Sequence, residues 1–230
     1  MMLRRSTMAC VMTMIALVSA EAQAETPREL LTAAAFQTAD KGRALALVGQ
    51  AIAGADRILA SKPGDHEALL QRAVAIGYRA KLTRSRSDAR TSLRLFEALA
   101  ARDPRDPEAQ MVIAGWHLDA IDQLGGFVAR TVLGAKAAEG EAALARAVAL
   151  DSRRAFYPGL AAMMQIRLNH GDVAKARRWA EAAASAATPT PLDALIRRNA
   201  LAILPALRAN DGKAAAAMAR KLLPFGKLAI

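Results

Sequence analysis

The chain has 230 residues and a formal net charge of +11, with 53% hydrophobic but only 4% aromatic residues. That is enough chain for a sizeable core in one domain, and its alanine-rich, β-branched-poor composition favours helix over sheet. The single cysteine, Cys10, lies near the N-terminus, so past that segment a disulfide framework, cysteine-ligated metal and thiol catalysis are excluded.

The first stretch reads as a leader. Arg4 and Arg5 supply positive charge, Met8–Val18 an apolar run, and Ala22-Gln23-Ala24 a small-residue cleavage motif. The apolar run is about half the ~20 residues that a membrane-spanning helix needs. Residues 1–24 are therefore expected to be a signal peptide, cut between Ala24 and Glu25. Export without cysteines points to a bacterial periplasm.

The elements follow in order. Residues 25–62 hold two N-terminal helices. The first, Glu25–Thr38, is capped by Thr26, with Pro27 at its first position and Leu30, Leu31 and Phe36 on its apolar face. The second is Asp40–Ser61. Lys62-Pro63-Gly64-Asp65 breaks the chain, and helices His66–Leu82 and Asp88–Arg102 follow. Pro104 ends the latter; Asp106 then caps a new helix, with Pro107 at its first position. That helix, Glu108–Leu124, runs into Gly125-Gly126 and an irregular stretch to Lys136 with a short helix near Phe127–Leu133. Further helices are expected at Ala137–Leu150, Phe156–Asn169, Asp172–Ala186, Leu192–Arg208 and Lys213–Leu223. Pro205 should kink or shorten the helix that holds it. Residues 224–230 form a tail that docks on the last helices or frays.

The breaks at Pro63, Pro104, Ser152 and Pro189 are 41, 48 and 37 residues apart. A loose repeat of helix pairs is the pattern of a solenoid.

The best unit, Leu160–Pro189, resembles a tetratricopeptide repeat in its Gly171-Asp172 turn, Lys175-Ala176, Ala180, Ala183 and closing proline. Asp88–Pro104 matches in Phe96, Leu99 and Pro104, with Ser92 in place of the usual alanine; Ala143–Ser152 matches with serine in place of proline. The intervals exceed that family's ~34 residues, and Met164 stands where the family has a small residue. The layout from Ile76 to Pro189 also resembles, more distantly, the helical domain of regulator-of-microtubule-dynamics proteins. The fold class expected is all-α, with stacked antiparallel tetratricopeptide-like helix pairs over residues 63–223. The resemblance implies a concave protein-binding surface without catalysis, and Gln165 and Asn169 would line it.

Charge points to the partner. Residues 150–230 carry 13 Lys/Arg against 5 Asp/Glu. Arg153-Arg154, Arg177-Arg178 and Arg197-Arg198 recur in successive units. Arg79, Lys81, Arg84, Arg86, Arg90 and Arg94 are opposed nearby only by Asp88, and Arg86, Arg90 and Arg94 share one helical stripe. Arg79, Arg86, Arg90 and Arg94 are thus candidate contacts for an acidic envelope protein or peptide, with a membrane surface as a second candidate. Few aromatics interleave with the basic residues, so nucleic acid is not expected.

His66, His117 and His170 lack the local spacing of a metal site, and no metal or cofactor is expected. Trp116 and Trp179 read as packing residues. The expected function is a non-catalytic scaffold or adaptor of the cell envelope. A small-molecule or lipid carrier, with Met163 and Met164 lining its cavity, is one alternative. An envelope-glycan hydrolase using Asp119 or Asp122 is another.

Overall fold

The computed structural model of the chain describes residues 25–228; the leader expected up to Ala24 lies outside them. Eleven α-helices make up the described residues: α1 Pro27–Phe36, α2 Lys41–Ser61, α3 His66–Thr83, α4 Arg86–Arg102, α5 Pro107–Leu124, α6 Gly126–Leu133, α7 Ala137–Leu150, α8 Phe156–Leu168, α9 Val173–Ser185, α10 Pro191–Arg208 and α11 Gly212–Leu222. The expected all-α class is observed. The one departure among these residues is an isolated bridge between Arg154 and Ala187.

Local chemistry sets the boundaries. Thr26 and Thr190 close capping boxes with Glu29 and Asp193. Asp40, Asp65, Ser85, Asp106 and Asp211 accept first-turn N–H groups of α2, α3, α4, α5 and α11. Pro205 lies inside α10, which nevertheless runs one more turn to Arg208. The carbonyl deprived of a partner is that of Leu201, an exposed residue, so water can satisfy it.

Helices pair along the chain: α1 with α2, α3 with α4, α5 with α7, α8 with α9, and α10 with α11. The first members α1, α3, α5, α8 and α10 also pack on one another in sequence. α6 stands outside this pairing, packed on α5 and touching α4. α2 is long and apolar enough to span a membrane by length and hydropathy, and here it packs between α1 and α3.

Small residues permit the close contacts. Gly77 on α3 faces Ser92 on α4; the serine hydroxyl donates to the Ala89 carbonyl at 2.9 Å, so serine serves where alanine was expected. Met164 is accommodated because Gly115 on α5 faces it. At Gly159 on α8, an added Cβ would lie 2.6 Å from Ile196 Cγ2 on α10. Gly159→Ala is expected to destabilise the fold by about 1–3 kcal/mol, read as a lower urea midpoint.

α8 is the centre. Every residue from Phe156 to Arg167 is buried, because α5, α7, α9, α10 and α11 surround it. α11 packs on α8 as well as on its partner α10. The tail then crosses to the start of the chain rather than to the last helices. Phe225 is buried with Leu30, Leu31, Ala34 and Ala35 of α1, and its N–H donates to the Ala35 carbonyl at 2.7 Å. Its ring meets Tyr78 of α3 edge-on at 4.8 Å. The first and last elements are thereby tied together.

Candidate functional site

Arg84 turns the chain from α3 into α4 with a left-handed φ of 58°. α4 then buries Ser92, Phe96 and Leu99, which leaves the stripe of Arg86, Arg90 and Arg94 facing outward. Gly125, at φ 76°, ends α5 and redirects the chain into α6, and Gly134, at φ 80°, ends α6. α6 is seated by its buried Ala129. The Lys136 N–H that follows donates to His117 Nδ1 at 3.2 Å. Burial holds His117 below its ordinary pKa, against the opposing pull of Glu139. A neutral ring with an accepting Nδ1 fits that bond.

Together α4 and α6 form an open groove of about 530 Å³, lined by Arg86, Ser87, Arg90, Leu93, Arg94 and Leu133. Arg90 spans it, donating from Nη2 to the Val132 carbonyl at 2.9 Å in the last turn of α6. Arg94 donates to the Thr91 hydroxyl at 3.2 Å. Arg86, Arg90, Arg94 and Arg130 of α6 have no carboxylate within ion-pair distance among the described residues.

Several other cations are engaged. Arg28 bridges Glu67 and Glu108, tying α1 to α3 and α5. Arg72 pairs with Asp56, Arg154 with the fully buried Asp193, and Arg208 with Glu181. Of the four arginines singled out in the sequence, Arg79 belongs to this engaged group: it holds Asp88 through two hydrogen bonds of 2.8 and 2.9 Å. Asp88 therefore does not neutralise the stripe on its own helix. Arg86, Arg90 and Arg94 are brought together as expected from their spacing.

Gln165 and Asn169 are placed elsewhere. Gln165 is fully buried and donates to Asp172 at 2.6 Å, so no partner can reach it; Asn169 caps α8 and accepts from the Gly171 N–H at 2.9 Å. The face of α8 that holds Gln165 is covered by the chain itself, through α11, whereas Asn169 at the end of the helix is exposed. Met163 and Met164 are core residues at 0% and 7% exposure. Trp116 joins α5 to α4 through Nε1 and the Ala89 carbonyl at 2.8 Å, and Trp179 packs at the edge of the main core under Lys175.

Asp119 sits between Lys81 at 2.8 Å and Arg167 at 2.9 Å. Burial pushes its carboxyl up, but the two cations outweigh burial and leave it below the ordinary range. Asp122 pairs with Arg220 at 3.4 Å. Asp119 is thus an ion-pair member rather than a proton donor at neutral pH.

One feature went unread in the sequence. Leu124, Phe127 and Val128 project from the α5–α6 junction at 43%, 84% and 44% exposure. The signal was there, an apolar triplet around Gly125-Gly126 beside an insertion, but a short helix has too little periodicity to say which of its sides faces water.

Neither a family model, nor a curated protein, nor a solved structure matches this chain.

Proposed function

We propose that the protein is a non-catalytic adaptor of the bacterial envelope, built of tetratricopeptide-like helix pairs, whose working surface is the basic groove between α4 and α6. The observation that carries this reading is that three arginines without carboxylate partners among the described residues, Arg86, Arg90 and Arg94, line one open groove, whereas Arg79 and Lys81 of the preceding helix are paired. Like charges four apart on a helix cost a few tenths of a kcal/mol per pair. Guanidinium groups in this arrangement offer forked donors to a phosphate or carboxylate. The inner row of helices, where the family resemblance would put the partner, already carries α11 and the tail. The groove is the open alternative.

The carrier reading loses support because Met163 and Met164 are packed in the core. The hydrolase reading loses support because Asp119 is clamped as a carboxylate by two cations.

The reading is tested with Arg86→Glu/Arg90→Glu/Arg94→Glu on immobilised heparin. As a control for net charge, Arg178→Glu/Arg198→Glu/Lys213→Glu makes the same change on exposed residues elsewhere. The groove variant should elute at clearly lower salt than the control, with both unfolding within about 0.5 kcal/mol per substitution of the wild type. Equal elution of the two variants would remove the groove from the proposal.

A further inference from the structure

We infer that the anionic partner of the α4–α6 groove is a bilayer of acidic lipid, and that Phe127 is the residue that enters it. This rests on the groove being the working surface and names its partner.

Two independent features meet here. The first is the cationic groove. The second is the apolar crest of Leu124, Phe127 and Val128, in which Phe127 is 84% exposed. Isolated exposed apolar residues need no explanation, but a contiguous group beside unpaired cations marks a contact surface. The two features are joined along α6. Leu133 lines the groove, Arg130 stands three residues before it, and Phe127 three before that, so a line of i, i+3 neighbours runs from groove to crest. The insertion that the helix-pair pattern does not use, since α5 packs on α7 directly, supplies the groove's far wall at Leu133 and the Phe127 and Val128 of the crest.

The shape selects the partner. An acidic peptide laid in the groove would meet Arg86, Arg90 and Arg94 and leave Phe127 in water. A bilayer covers both at once. Arginine stems lie along the interface with their guanidinium groups on lipid phosphates, and the aromatic ring enters at the level of the acyl boundary. The charge required of the lipid follows from Arg86, Arg90, Arg94 and Arg130, none of which has a carboxylate partner among the described residues. Glu97, on the same helix as the stripe, lines a different groove with Gln110, His117 and Arg146.

The test is co-sedimentation of the chain from Glu25 onward, which holds every described contact of the fold. The leader is omitted because its apolar run would bind lipid by itself. Vesicles of phosphatidylcholine alone are compared with vesicles containing phosphatidylglycerol. Binding is expected only to the latter. Arg86→Gln/Arg90→Gln/Arg94→Gln should lower the partition coefficient by about a hundredfold, at about fivefold per cation. Phe127→Ser, at an exposed position that does not bear on folding, should lower it by about tenfold. In Phe127→Trp, emission should shift to the blue on adding the acidic vesicles, beyond any change in the wild type.

Loss of binding in the arginine variant with no effect of Phe127→Ser and no blue shift would overturn the bilayer inference and leave the groove reading intact. So would absence of vesicle binding alongside groove-dependent crosslinking to an acidic envelope protein. Equal binding to both kinds of vesicle, or unchanged binding of the arginine variant, would overturn the inference and the groove reading together.

Discussion

Replacing Phe225 by alanine is expected to destabilise the protein by about 3–5 kcal/mol, the largest effect of any single truncation in the tail. The ring is 2% exposed and is enclosed by residues of α1 such as Leu30 and Ala35 and of α3 such as Ala75 and Leu82, all from the first half of the chain. Its edge-on contact with Tyr78 adds to the burial, and Lys81 Nζ lies 5.8 Å from its centroid. The same lysine donates to the Pro224 carbonyl at 3.3 Å. Phe225 is held at a φ of 65°, which a non-glycine residue adopts only when its surroundings fix it. Loss of the ring removes those constraints. Urea unfolding should show a lower midpoint, and hydrogen exchange should show α1 losing protection before α8. A melting temperature within a degree of the wild type would mean that the tail does not hold the two ends together. A fall of about 10 °C is the expected scale for a chain of this size.

Asp119→Ala should produce the second largest loss, about 3 kcal/mol. The carboxylate links Lys81 on α3 to Arg167 on α8, and side-chain exposures of 16% and 7% leave both cations little water to turn to. Removing the anion strands two positive charges beside each other. Arg167 Nε already lacks a partner, and the acceptors left would be Asp122, 3.7 Å from Arg167 Nη1, and the Pro224 carbonyl for Lys81. The same geometry sets a pH dependence. The folded-state pKa of Asp119 lies below its ordinary value, so the folded state binds this proton less readily than the unfolded chain does. The stability that Asp119 contributes is therefore complete above an ordinary aspartate pKa of about 3.9 and is lost as pH falls through the folded value. Denaturation midpoints measured from pH 6 down to pH 3 should fall for the wild type. The Asp119→Ala curve should be flatter over the acid end of that range. Parallel curves would place the acid sensitivity elsewhere.

The boundaries of most helices were legible because they depend on neighbours in sequence. Asp103-Pro104 ends one helix and Asp106-Pro107 starts another, since proline removes a donor and aspartate supplies an acceptor within a few residues. The same holds for the Thr26 and Thr190 caps and for the glycine break into α6. The arginine stripe of α4 was legible too, because four-residue spacing alone puts Arg86, Arg90 and Arg94 on one face.

The partners of those charges were not. Arg79 and the stripe arginines look alike in the sequence, yet Arg79 reaches Asp88 while the others open onto a groove whose far wall is α6. Likewise Gln165 occupies a position that the resemblance assigns to an open face, and it is sealed by packing. Asp119 reads as a candidate acid until Lys81 and Arg167 arrive from 38 and 48 residues away.

The sequence by itself thus determined helix content, helix limits and the sidedness of each helix, because these follow from backbone donors, caps and a 3.6-residue period. Only the tertiary structure decided that α8 lies at the centre, that the tail returns to α1, and which cations remain unpaired. Those outcomes depend on contacts between distant segments, whose energies come from joint burial and charge pairing in three dimensions and leave no local periodicity to read.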